Sequence, residues 1–190
     1  MLNIILLGAP GSGKGTQSQE IINLYDLCHI STGNMFRENI KEQTELGVLA
    51  KSYLDRGELV PDDITISMLE KEVKSNLNSK GFIFDGFPRT KQQAISLDSF
   101  MSKNSMSINY AISLDVSDDI LKERLLRRGK DSNRSDDNPD IIDSRIADYH
   151  KKNSILKEYY NSQKKYISIS GIGSISDIFA EICCSIEGTK

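Results

Sequence analysis

The sequence predicts an α/β protein built on a parallel sheet of five strands with helices on both faces. Three observations carry that expectation. The run NIILLG near the start is continuously apolar and rich in β-branched residues and leucine, the pattern of a strand covered on both sides. Four further strand-like runs, LCHIS, FIFD, NYAISLDV and YISIS, alternate along the chain with segments whose apolar residues recur at helical spacing. The first strand also runs straight into a glycine-rich turn and then a helix, an order that places a loop against the end of a parallel sheet.

Taken in order, NIILLG leads through GAPGSGKGTQ into the helix of KGTQSQEIINLY, and LCHIS is the second strand. From Thr32 to Val60 polarity rises and helical signals shorten, which reads as a small helical excursion from the sheet. Pro61, Asp62 and Asp63 then start the helix of ITISMLEKEVKSNL, since proline and acidic residues suit a first turn. FIFD, the turn GFPRT and the helical TKQQAISLDSFM follow. NYAISLDV opens onto SDDILKERLLRRG, whose leucines share one face. The polar stretch KDSNRSDDNPD precedes a long helix, IIDSRIADYHKKNSILKEYY, and YISIS with DIFAEICCSI closes the fold. The division expected is one core of 1–31, 61–129 and 139–190, with covers at 32–60 and 130–138.

At 190 residues the chain suits one hydrophobic core rather than two domains. Its net charge of -3 argues against a broad nucleic-acid surface. The opening apolar run is too short for a membrane span or an export signal, so no membrane partner is expected and the cytoplasm is the default location. Three cysteines with no C-x-x-C pair fit a reducing compartment. His29 and His150 have no partners at metal-ligand spacing, and the 130–138 excursion holds no cysteine, so no zinc site is expected.

The loop itself carries the strongest functional signal. Consecutive backbone N–H groups, glycines that let the chain curl, and the unpaired amides of the following helix form a cradle for phosphate. Gly8, Gly11, Gly13 and Gly15 supply the curl, Ser12 lies within it, and Lys14 supplies a charge for the outer phosphates. The hydroxyl that usually follows the lysine is displaced one place, to Thr16, and is the candidate neighbour of Mg2+. The fold is therefore expected to be of the P-loop NTPase type. Kinases, hydrolases and nucleotide switches all share that cradle.

Two more stretches suit a second anion. In STGNMFR, Thr32 and Gly33 open a helix with Arg37 one turn on; in DGFPRTKQQ, Asp85 ends a strand and Arg89 follows Gly86, Phe87 and Pro88. A guanidinium suits bidentate phosphate contact, and a strand-end aspartate suits Mg2+ held through water. Arg124 and Arg128 lie on one helix face and Arg127 partly elsewhere, while Arg134 and Arg145 approach from beyond the short loop. Such charges can close over polyphosphate, and Asp136 and Asp137 are placed either to pair with them or to act as caps on the hinge side.

GAPGSGKGTQ, STGNMFR, the GELVPD region, GFIFDGFPRTKQQA, ERLLRRG, SNRSDDN and DSRIADY, in that order and over nearly the whole chain, closely resemble the adenylate kinases among the nucleoside monophosphate kinases. The displaced Thr16 is that family's arrangement. The resemblance implies reversible transfer from MgATP to AMP, giving two ADP. It assigns the loop from Gly11 to Thr16, Arg124 and the backbone at Gly173 to ATP. It assigns Thr32, Gly33, Arg37, Glu58, Leu59, Val60, Gly86, Phe87, Pro88, Arg89 and Gln93 to AMP. Lys14, Arg89, Arg124, Arg128, Arg134 and Arg145 would act on the transferred group, Arg134 and Arg145 chiefly from the AMP side, and Asp85 would organise Mg2+.

Thr32 and Gln93 favour adenylate kinases over uridylate and cytidylate kinases, the nearest alternative; a P-loop hydrolase or switch has no use for Arg37, Arg89 and Gln93. Asn34 stands where the family usually has aspartate, and Phe36 where leucine is common. The polar excursion resembles the family's short lid, and a monomer is the family expectation.

Overall fold

The computed structural model describes residues 1–131 and 138–188. Arg134, Asp136 and Asp137, with most of the expected short lid, lie outside the described residues. The elements run β1 (Leu2–Gly8), α1 (Lys14–Tyr25), β2 (Cys28–Ser31), α2 (Thr32–Lys41), α3 (Glu45–Leu54) and α4 (Asp62–Ser75). They continue with β3 (Gly81–Asp85), α5 (Lys91–Lys103), β4 (Tyr110–Asp115), α6 (Asp118–Asp131), α7 (Pro139–Ser162), β5 (Tyr166–Ser170) and α8 (Ile175–Glu187). All five sequence-derived strands are present, and α6 carries the helix past Gly129 to Asp131.

The sheet has the order β2-β3-β1-β4-β5, and every pairing is parallel. Because side chains alternate along a strand, β1 serves two cores. Ile5 and Leu7 pack with Phe82, Phe84, Leu69, Val73, Leu97 and Met101 on one face. Ile4 and Leu6 pack with Ile83, Ile112, Ile21, Ile178 and Ile182 on the other. Double coverage is what makes NIILLG uninterruptedly apolar. Burial of each such side chain contributes about 1.5–3 kcal/mol, which holds the strand ends firmly.

β1 lies between β3 and β4, so the chain direction around the sheet reverses there. A crevice opens beyond the carboxyl ends of the strands at such a reversal. Gly8 and Asp85, the last residues of β1 and β3, both lie at this edge.

The excursion from Thr32 has a small separate core, shared with the start of α4: Phe36, Ala50 and Val60, joined by Ile40, Leu46, Tyr53, Leu54 and, from α4, Ile64 and Met68. Thr44 caps α3 by accepting from the Gly47 N–H at 3.0 Å. Gly47 is required by packing, since a Cβ there would sit 2.0 Å from the Asn39 carbonyl oxygen.

Candidate active site

One cleft of about 790 Å³ runs along the carboxyl edge of the sheet. Every site residue expected from the sequence lines it, apart from Arg134, which is outside the described residues. Among the described residues, seven lysine and arginine side chains line it against three carboxylates, in a chain whose overall charge is negative. A concave surface of that sign favours a polyanion.

On one side the backbone forms the cradle. Gly13 is the N-cap of α1 at φ +98°, a left-handed conformation that favours glycine, and it places no side chain over the helix start. No acidic residue follows in the first turn, so the amide ends and the positive end of the helix dipole are left to a ligand. The Lys14 ammonium donates to the carbonyls of Gly8 at 2.6 Å and Ala9 at 3.0 Å, which folds it over the loop. Burial lowers its pKa from 10.5 to about 8; Asp85 opposes that shift, while Arg89, Arg128 and Arg145 add to it. Ser12 Oγ is buried with no hydrogen-bond partner among the described residues, a hydroxyl enclosed by the loop. Arg124, from α6, donates through both terminal nitrogens to the Gly171 carbonyl at 3.2 Å, holding its guanidinium beside the β5–α8 turn that contains Gly173. Arg127 is exposed and does not line the cleft, as its helix phase implies.

The opposite side is assembled by side chains around one carbonyl. Gly86, at φ +76°, turns the chain after β3, and its oxygen accepts from Arg89 Nε at 2.7 Å and Thr32 Oγ1 at 3.1 Å. A Cβ at Gly86 would approach the Arg89 guanidinium to 2.9 Å, but that is the movable end of a long side chain, so it is the positive φ that calls for glycine. The Phe87–Pro88 peptide is cis, and Phe87 is buried in the sheet core. Arg37 donates to Asn34 Oδ1 at 2.5 Å and lies back over Gly33. Asn34, the unusual residue of STGN, thus orients the arginine.

The helix starts differ from the sequence expectation in one respect. Ser31 Oγ accepts from the Asn34 N–H at 3.4 Å, so the amide end offered by Thr32 and Gly33 is partly engaged by the protein. Gln93 is 2% exposed with both ends of its amide engaged: Oε1 accepts from the Arg89 N–H at 2.7 Å, and Nε2 donates to Asp62 at 2.7 Å. Glu58 pairs with Arg56 at 2.8 Å on the exposed surface, and Leu59 and Val60 meet the cleft beside it. Arg145, from α7, packs its stem over Gly57: a Cβ there would lie 3.2 Å from Arg145 Cγ.

Asp85 lies between the two sides. Burial would raise its pKa, but the neighbouring His29 imidazole and the charges of Lys14 and Arg89 outweigh this, so the net shift is downward and the carboxylate is ionised. His29 Nε2 is 3.8 Å from Asp85 Oδ2, an electrostatic contact rather than a hydrogen bond. Sequence reasoning considered His29 only as a metal ligand; the residue is brought to Asp85 by the β2–β3 register, which pairs His29 with Ile83 and Ser31 with Asp85. Asp62, although it ends GELVPD, and the Gly171 carbonyl were also missed as parts of the site, since their partners Gln93 and Arg124 lie far away along the chain.

A lysine in a glycine-rich cradle at one end, arginines converging at the other and an ionised carboxylate between them are what transfer between two phosphates requires. The family model described as Adenylate kinase matches residues 6–165. The chain belongs to the adenylate kinase family. It is 50% identical to the adenylate kinase of Flavobacterium psychrophilum over 179 residues, covering 94% of each chain. It is 46% identical to that of Bacteroides thetaiotaomicron over 187 residues, 98% of this chain and 99% of the relative. With that of Parabacteroides distasonis it shares 45% identity over the full 190 residues of both chains. As an adenylate kinase it is a phosphotransferase interconverting ATP and AMP with ADP, and the family uses ATP with Mg2+. No helix among the described residues is long and apolar enough to cross a membrane, and these residues contain no cluster of metal-ligating side chains.

Proposed function

We propose that the two sides of the cleft divide the substrates, with MgATP on the Lys14 side and AMP on the Arg89 side, and that a monomer transfers the γ-phosphoryl group directly between them. The observation that supports this most is the convergence of Asp85, Arg89, Arg128 and Arg145 on Lys14 from the end of β3, the turn after it, α6 and α7. An AMP phosphate oxygen is already negative, so no general base is needed, and alignment with charge stabilisation carries the step. The loop amides and Lys14 hold the donor phosphates, Arg124 flanks the donor nucleotide, and Arg37 and Arg89 hold the acceptor phosphate. Arg128, Arg145 and, from outside the described residues, Arg134 stabilise charge on the transferred group.

Asp85, ionised and facing the cleft, and the Thr16 hydroxyl are suited to orient Mg2+ that arrives with ATP. That ion supplies positive charge to the polyphosphate; the protein supplies its position. The segments 32–60 and 130–138 act as covers that exclude water, which would otherwise compete as acceptor.

The test is an acceptor panel: ATP consumption with Mg2+ and AMP, UMP, CMP or GMP. ADP formation is expected with AMP above the others. Equal ATP consumption with no monophosphate present would overturn the reading in favour of a hydrolase.

A further inference from the structure

We propose that Asp62 is a positioning residue that sets which base the acceptor side takes, by fixing the end-for-end orientation of the Gln93 amide. This rests on the reading that AMP occupies the Arg89 side. Asp62 is the first residue of α4, directly after the excursion. Its Oδ1 accepts from Gln93 Nε2 at 2.7 Å, and its Oδ2 accepts from Thr90 Oγ1 at 2.6 Å. Thr90 Oγ1 in turn accepts the Gln93 N–H at 3.1 Å, and Gln93 Oε1 accepts the Arg89 N–H at 2.7 Å.

A carboxylate only accepts and a backbone N–H only donates, so the amide between them has one admissible orientation. Turning it over would set oxygen against oxygen and N–H against N–H at a position that is 2% exposed. After these two bonds the amide keeps one hydrogen on Nε2 and one lone pair on Oε1. Adenine offers a ring-nitrogen acceptor beside an amino donor, which matches that remainder. Hypoxanthine offers a ring N–H beside a carbonyl, the reverse at both atoms. A Gln93 free to turn over would serve either base; one held by Asp62 serves adenine.

The experiment compares AMP with inosine monophosphate through the KM for AMP and the Ki of inosine monophosphate against it. Asp62→Leu is expected to narrow the preference for AMP by about 10-fold while the KM for MgATP stays within about twofold. Asp62→Asn keeps an oxygen that accepts from Gln93 and is expected to retain most of the parent's preference. On a Gln93→Ala background, Asp62→Leu is expected to leave the preference unchanged.

An unchanged preference in Asp62→Leu, an equal loss for MgATP and AMP, or a shift that persists without Gln93 would overturn the inference. If Asp62→Leu does not fold, Thr90→Val, which removes one of the groups holding the carboxylate, decides by a smaller shift in the same direction or by none. Equal use of AMP and inosine monophosphate by the unaltered enzyme would instead remove the acceptor reading itself.

Discussion

Under the proposed division of substrates, the two sides of the cleft would hold phosphate by different means. On the donor side α1 begins at Gly13 with no side chain capping it and no acidic residue in its first turn, so backbone amides face the cleft. On the acceptor side α2 and α5 begin under Ser31 and Thr90, whose hydroxyls accept from Asn34 and Gln93 backbone N–H groups. Helix ends used in this way are less available to a ligand, and in the proposed arrangement Arg37 and Arg89 take over the anion. The donor site is thus built into the rigid sheet edge, whereas the acceptor site depends on side chains that an excursion with its own small core helps to place. A backbone cradle is generic for polyphosphate; an arrangement of side chains can be specific for one acceptor.

The largest test of this contrast is Lys14→Met, expected to lower kcat/KM on the order of 10³-fold with either substrate varied, because the charge stabilises the transferred group itself. Steady-state kinetics over both substrates reads it. Arg89→Ala is expected to be lopsided: a loss on the order of 10²-fold in kcat/KM for AMP with MgATP affinity largely retained, measured by titration calorimetry and acceptor kinetics. Equal damage to both substrates would erase the division between the sides.

A pH series sharpens the donor side. The folded pKa of Lys14 is about 8 against 10.5 for an ordinary lysine, so between these values the unfolded chain binds more protons and stability rises with pH. The gain from this group is about 3 kcal/mol across that window and absent below it. Denaturant unfolding of the nucleotide-free protein and of Lys14→Met, compared point by point, should show the difference; parallel curves would contradict it.

Thr90→Ala is expected to cost about 1 kcal/mol of stability through the lost cap, with a rise of a few-fold in KM for AMP and none for MgATP. Arg127→Ala, on the exposed face of α6, is expected to change stability by less than about 0.5 kcal/mol and to leave turnover unaltered. A marked loss there would require a place for Arg127 that the helix phase of α6 denies it.

The donor side was legible because its chemistry is local. Strand, glycines, Lys14 and helix are adjacent in sequence, and their spacing alone states how they fold and what they bind. The central strands were legible for a related reason, since a sheet covered on both faces demands unbroken apolar runs, whereas the edge strand YISIS alternates apolar and polar residues. Arg37, Arg89 and the arginines of α6 could be named from family motifs, but their partners could not. Gly86 O as the meeting point of Thr32 and Arg89, His29 beside Asp85, and Asp62 holding Gln93 join segments that are distant along the chain.

By itself, then, the sequence determined a parallel α/β sheet, a phosphate cradle and the set of arginines available to it, because local spacing and alternation encode those features directly. The tertiary structure decided which helix ends remain open, which way the Gln93 amide faces and how far burial depresses Lys14. Those depend on groups brought together by strand register and helix packing, and hydrogen-bond direction and desolvation exist only once the neighbours are in place.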